Sequence, residues 1–261
     1  MARLRPCGAR GYTLVELLVT MSVIALLMSL LLPAMGRARK SAHRTMCLSN
    51  QHQIGTAVGA YIEDADGFYP IAYFWIDDDG QRVDHPSVNE AAWDTITIRG
   101  VSRPGLLWQY AIGSRVQQCP TFAGNSNTPA DRFTGYNYNT SYIGRGAGEG
   151  SWGGMTGVPA KVDQVANPSD TALIGDGGYR DGANKYMRAP GDRSPLGLWG
   201  VHAGAQAFRH AGTTNVAWGD GHGTTRGEAF RHAAATAAHL ALQGWPEHGF
   251  LGDGDDLYDR R

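Results

Sequence analysis

Between Tyr12 and Leu32 the chain runs 21 residues with a single charged side chain, Glu16. A helix rises about 1.5 Å per residue and a bilayer's hydrocarbon core is about 30 Å thick, so this segment just spans a membrane. An ionised carboxylate inside a spanning helix costs on the order of 2.5 to 3.5 kcal/mol near the centre and less near an edge, and such residues normally have a partner and a function. The partner this position calls for is a free amine. Arg3, Arg5 and Arg10 precede the run while Arg37, Arg39, Lys40 and Arg44 follow it, so the distribution of basic residues does not by itself orient the span.

A secretory signal or a plain anchor shares the basic start and apolar core. Signal peptidase needs small residues after the run, and Leu32-Pro33-Ala34-Met35-Gly36 is a poor version of such a site. Cys7 precedes the apolar segment, where a lipid-modified cysteine would have to follow it. Beyond Pro33, which can bend a helix without ending it, Cys47, Gln51, Ile54, Val58, Tyr61 and Ile62 recur at three- and four-residue steps. The spacing predicts one long helix to about Ala65, stopped by Asp66-Gly67.

From Phe68 the pattern changes to short apolar runs broken by Asp, Gly and Pro. The whole reads as an α+β chain: a long N-terminal hydrophobic helix packed on a mainly antiparallel β domain with long loops. Its expected parts are a basic leader (1–11), a transmembrane and amphipathic helix (12–65) and a globular domain (66–261). Strands are expected at Ile71–Ile76, Thr171–Ile174 and Thr214–Trp218, and helices at Leu106–Ile112 and Ala229–Leu242. With 42% hydrophobic residues the chain can bury a proper core.

The sequence Gly11-Tyr12-Thr13-Leu14-Val15-Glu16 after a short basic leader resembles the start of type IV prepilins and type II secretion pseudopilins, with tyrosine where phenylalanine is usual. That resemblance implies a pilin-like fold, cleavage after Gly11 and N-methylation of Tyr12 by a prepilin peptidase/methyltransferase. It also implies a role for Glu16 in assembly, the carboxylate being neutralised by a neighbouring subunit's new terminal amine. Other pilin-like subunits and inner-membrane lipid are the implied partners. The leader would be cytoplasmic and the rest periplasmic or exported from a single-pass inner-membrane anchor, reaching a filament or the cell surface after assembly.

Loss of the leader's three arginines takes the formal charge from −1 to −4, which argues against nucleic acid as a partner. The cluster Arg37 to Arg44 suits acidic lipid headgroups better. Cleavage also removes Cys7 and leaves Cys47 and Cys119. Outside the cytoplasm that pair is a candidate disulfide, worth about 4 kcal/mol in the chain-entropy model, and two buried free thiols are the alternative.

Near the C-terminus, His210 is followed after nine residues by Asp220-Gly221, and then by His222. With Cys47-Leu48-Ser49-Asn50, Cys119-Pro120, Gly135-Tyr136-Asn137-Tyr138 and Asn167-Pro168-Ser169-Asp170, this is similar to the prepilin-type proteins with an H-X9-DG motif of planctomycete-like bacteria. His210, Asp220 and His222 are candidate zinc ligands; the alternative is that Asp220-Gly221 makes a turn while His210 bonds a neighbouring backbone group or carboxylate. The tail Asp253-Gly254-Asp255-Asp256 with Asp259 raises calcium, but it lacks the EF-hand order and reads better as a solvated acidic tail.

No cofactor is expected. The leading functional reading is a structural one, a minor or specialised subunit of a type IV pilus-like or type II secretion pseudopilus assembly, and not an enzyme. Its rivals are an anchored extracytoplasmic metal-dependent hydrolase using His210, Asp220 and His222 with Asp176, and a glycan-binding module using Trp75, Trp152 and Trp199.

Overall fold

The structure, a computed structural model, describes residues 12–83, 87, 89–110, 116, 118–126, 135–145, 157–180, 182–191 and 204–259. The leader with Cys7 and Gly11, most of the glycine-rich tract after Gly144, Trp152 and Trp199 lie outside them. The chain divides into two compact units, Met1–Ala42 and His43–Arg261. The layout is α+β: one long apolar N-terminal helix, α1 (Leu14–Asp64), followed by a β-rich domain with mainly antiparallel sheets, the short pairings of Asn125–Ser126 with Gly182–Ala183 and of Tyr136–Asn139 with Tyr186–Met187 being parallel.

In the first unit every described residue is exposed, including the apolar run to Leu32. The helix is long and apolar enough to cross a membrane by length and composition. Its few hydroxyls are satisfied locally: Thr20 Oγ1 donates to Leu17 O, Ser22 Oγ to Leu18 O and Ser29 Oγ to Leu26 O, so none asks for water. The helix continues through Pro33.

The second unit takes in the rest of α1, whose Cys47, Gln51, Ile54, Ala57 and Val58 are buried. The compact boundary therefore falls at Ala42/His43, inside the helix and ahead of the expected one at Ala65. At the helix end Gly67 N–H donates back to Ile62 O, with Asp66 and Gly67 both at positive φ, so the Asp-Gly pair supplies the left-handed stop.

A four-stranded meander follows, β1 (Tyr73–Ile76), β2 (Asn89–Ala92), β3 (Thr95–Ile98) and β4 (Val101–Pro104), in sequence order. Leu106–Tyr110 of the expected helix is a 3-10 turn, and its last two positions, 111 and 112, lie outside the described residues. At the join, Gly105 lies against backbone: a Cβ would sit 2.3 Å from Thr95 N, 2.5 Å from the Asp94 carbonyl carbon and 2.6 Å from Ala92 O. Gly105→Ala is accordingly expected to cost about 1 to 3 kcal/mol or more, read as a lower urea midpoint at unchanged slope.

The larger sheet is organised on one strand. After the short β5 (Asn125–Ser126) come β6 (Tyr136–Asn139), a π-helical turn (Thr140–Gly144) and β7 (Ala172–Gly178), which is buried at every position. Then follow β8 (Gly182–Ala183), β9 (Tyr186–Met187), β10 (Ala205–Ala207), β11 (Thr214–Trp218) and β12 (Gly223–Arg226). The path runs β12-β11-β7-β10 and on to β13 (His248–Gly249), with β6 also paired to β7. Partners change along β7: Val216 of β11 opposes Gly175, Gln206 of β10 opposes Gly177, and Asp176 lies between.

Two sequence expectations are corrected. β7 does not end at Ile174 but runs through Asp176-Gly177-Gly178, because pairing to three strands and full burial override the turn propensity of those residues. The helix α2 covers only Ala237–Gln243, since Phe230 pairs its backbone with Phe250 and Thr236 caps the start. In the tail Asp253 and Asp256 are exposed, while Tyr258 beside them is fully buried and Asn139 Nδ2 donates to Tyr258 O at 2.8 Å.

Candidate functional site

Four groups from four places in the second unit converge on one buried spot. Cys47 comes from α1, Cys119 from the loop after the 3-10 turn, Asp176 from the changeover point of β7, and His210 from the connection between β10 and β11. Their ligand-type atoms all lie within 4.8 Å of one another, and all four residues are buried.

Local structure places each of them. Gln51 lies one helical turn beyond Cys47, so both face β7. His210 opens a tight turn in which Ala211 (φ 57) and Gly212 (φ 83) take the positive angles of a two-residue hairpin loop. His210 and Thr213 exchange backbone bonds of 3.0 and 3.3 Å across it, and Thr213 Oγ1 donates to His210 O.

Asp176 is the hub. Its Oδ1 accepts from Cys47 Sγ at 2.9 Å and from Gln51 Nε2 at 3.2 Å; its Oδ2 accepts from Asn215 N–H at 2.8 Å and faces His210 Nε2 at 3.3 Å. The same Nε2 lies 3.5 Å from Cys119 Sγ, while His210 Nδ1 lies 3.4 Å from Thr121 Oγ1. Asn215 ties the site back to α1 by donating to Arg44 O.

The electrostatics separate the two thiols. Burial pushes the Cys47 thiol up, helped by the negative charge of Cys119 and Asp176. Cys119 is drawn down, by the neighbouring Cys47 against the cost of burial, with His210 and Arg209 assisting. His210 is pushed up to about 9: burial opposes its charge, but Asp176 and Cys119 outweigh it. Arg209 donates to Gly135 O and Gly177 O and lies over the Phe122 ring.

This arrangement is not a nucleophile relay. A relay needs thiol and carboxylate on opposite nitrogens of the imidazole, whereas Cys119 and Asp176 share Nε2. The Cys119 side chain is buried.

Of the sequence-derived residues, the structure brings together His210, Cys47 and Cys119, the cysteines as free thiols. It does not bring Asp220 and His222 to them: His222 Nδ1 bonds Asp220 Oδ1 at 2.6 Å on an exposed hairpin, and Gly221 (φ 90) makes its turn. Asp176 had been weighed only as an extra acid, and Gln51 only as part of the helix face. No local spacing marks the set, since Cys47 and Asp176 stand 129 positions apart. In the tail, Asp255 accepts from Tyr142 Oη and from Gly191 N–H. At the other end, Thr13 and Glu16 form a reciprocal cap: Glu16 Oε2 accepts from Thr13 N at 2.8 Å and Thr13 Oγ1 accepts from Glu16 N at 3.2 Å.

Among the described residues one helix, near the N-terminus and ahead of a β-rich domain, is long and apolar enough to cross a membrane. Residues 7–32 match the family model of the prokaryotic N-terminal methylation motif, which supports a prepilin-type protein with a membrane anchor. No curated protein and no solved structure matches the chain.

Proposed function

We propose that the chain is a minor or specialised structural subunit of a type IV pilus-like or type II secretion pseudopilus assembly, of the kind that carries an H-X9-DG motif. A prepilin peptidase cuts after Gly11 and methylates Tyr12. The C-terminal domain lies outside the inner membrane, and the subunit moves from bilayer to filament. The observation that carries this reading is the methylation motif leading directly into an apolar helix surface with no cover. In the bilayer lipid covers that surface, and in a filament the helices of neighbouring subunits do.

Glu16 has two roles in this reading. In the single chain its carboxylate completes the Thr13 cap. In the assembly it meets a neighbour's methylated amine. Glu16→Gln separates the two, because glutamine serves a capping box as well as glutamate does but carries no charge. The variant is expected to keep the domain's stability within about 0.5 kcal/mol and to lose most incorporation into filaments, measured by shearing and immunoblotting. Mass spectrometry of the wild-type membrane form should give a chain beginning at methylated Tyr12. An intact leader, or cleavage elsewhere, overturns the proposal.

A further inference from the structure

We propose that Cys47, Cys119, Asp176 and His210 form a structural zinc site that fastens α1, the Cys119 loop, β7 and the His210 turn to one another. The four ligand-type atoms lie within 4.8 Å of one another, close enough for one tetrahedral ion to gather them. Bonds of about 2.0 to 2.3 Å from a central ion give ligand-to-ligand edges of roughly 3.3 to 3.8 Å. The observed edges are 3.5 Å for Cys119 Sγ to His210 Nε2, 3.3 Å for His210 Nε2 to Asp176 Oδ2, and 2.9 Å for Cys47 Sγ to Asp176 Oδ1. These contacts use both Asp176 oxygens and the whole set lies within 4.8 Å, so an ion would open the Cys47–Asp176 contact and draw the wider separations in by up to about 1 Å.

The donor chemistry selects the ion. Two sulfurs, one imidazole nitrogen and one carboxylate suit zinc, whereas calcium and magnesium require oxygen throughout. Four protein ligands in a buried site leave no open position, which marks a structural ion rather than a catalytic one. A disulfide would use two of the four groups and give no reason for Asp176 and His210 to face the same point.

Binding balances simply. The protons held on the sulfurs and on the His210 Nε2 go to solvent as the ion binds, so that both cysteines ligate as thiolates and His210 as the neutral ring. Two thiolates and one carboxylate around a divalent ion leave one net negative charge. Gln51 Nε2 and Asn215 N–H donate to the Asp176 oxygens, and the Arg209 cation acts on Cys119. With Nε2 on the metal, Nδ1 carries the hydrogen and donates to Thr121 Oγ1, the outer contact that fixes a ligand ring.

The test uses the full chain, purified in detergent without chelator and kept reduced. Elemental analysis is expected to find about one zinc per chain, and Co(II) in its place should give a thiolate-to-cobalt charge-transfer band with the strong visible absorption of tetrahedral cobalt. Thr121→Val removes the outer hydrogen bond and should weaken binding about 10- to 100-fold in chelator competition, with the circular dichroism unchanged. Wild-type chain that takes up neither zinc nor Co(II) overturns the proposal. So does cobalt bound without the thiolate band, or a native Cys47–Cys119 disulfide seen as a linked peptide. The wild-type measurements decide the matter even if Cys119→Ser or His210→Ala fails to fold.

Discussion

Lys185→Met should destabilise the second unit by about 3 to 5 kcal/mol, a factor of roughly 10² to 10⁴ in its folding equilibrium. Lys185 has a fully buried side chain whose Nζ lies 3.3 Å from Glu90 Oε1 and 3.6 Å from Asp94 Oδ1. Asp94 is 2% exposed, so its charge keeps little water, while Glu90 is 25% exposed. Methionine is close to lysine in length and shape, so packing against Tyr186 is largely kept and the loss reports on the missing ammonium. Urea unfolding of the full chain in detergent should show a lower midpoint at unchanged slope. Adding Asp94→Asn should restore much of the loss; a double variant no more stable than Lys185→Met shows that the charge pair is not the cause.

Trp218→Ala should cost a similar amount, about 3 to 5 kcal/mol, for a different reason. Trp218 closes β11 inside the second core cluster, with Ala172, Met187, Phe250, Leu251 and Tyr258. Its Nε1 donates to Thr224 Oγ1 at 2.7 Å, the Arg226 guanidinium lies 5.1 Å from its ring, and His222 stacks on it. One ring thus anchors the far strand of the Asp220-Gly221 hairpin as well as the core. Hydrogen exchange should rise across residues 214–226 in the variant. Trp218→Phe fills most of the space and loses the Thr224 bond, at a cost of about 1 kcal/mol. Equal losses in the two variants show that the cavity is not what matters.

What was legible in the sequence follows the range of the interactions. The apolar helix was legible because a bilayer dictates length and composition over consecutive residues. The buried face of Cys47, Gln51, Ile54 and Val58 was legible because helical periodicity brings residues three and four apart together. Thr214–Trp218 lies where its alternating strand residues and following Asp-Gly turn put it. β7 was cut short because Asp176-Gly177-Gly178 looks like a turn, and only partners distant in sequence make it a strand. The convergence of Cys47, Cys119, Asp176 and His210 was hidden for the same reason. The H-X9-DG spacing drew His210 toward Asp220, yet the residues between them make a turn and then a strand that leads away to the hairpin.

The place where α1 becomes buried fixes where a protease can release the second unit intact. A cut between Ala42 and His43 leaves Cys47, Gln51, Ile54, Ala57 and Val58 with the released piece. A cut at Asp64, where the helix visibly ends, would strip them away and expose a trough of apolar wall, including Leu173 and Ile174, to water. The piece that can live in solution is therefore longer at its front than the fold's outline suggests.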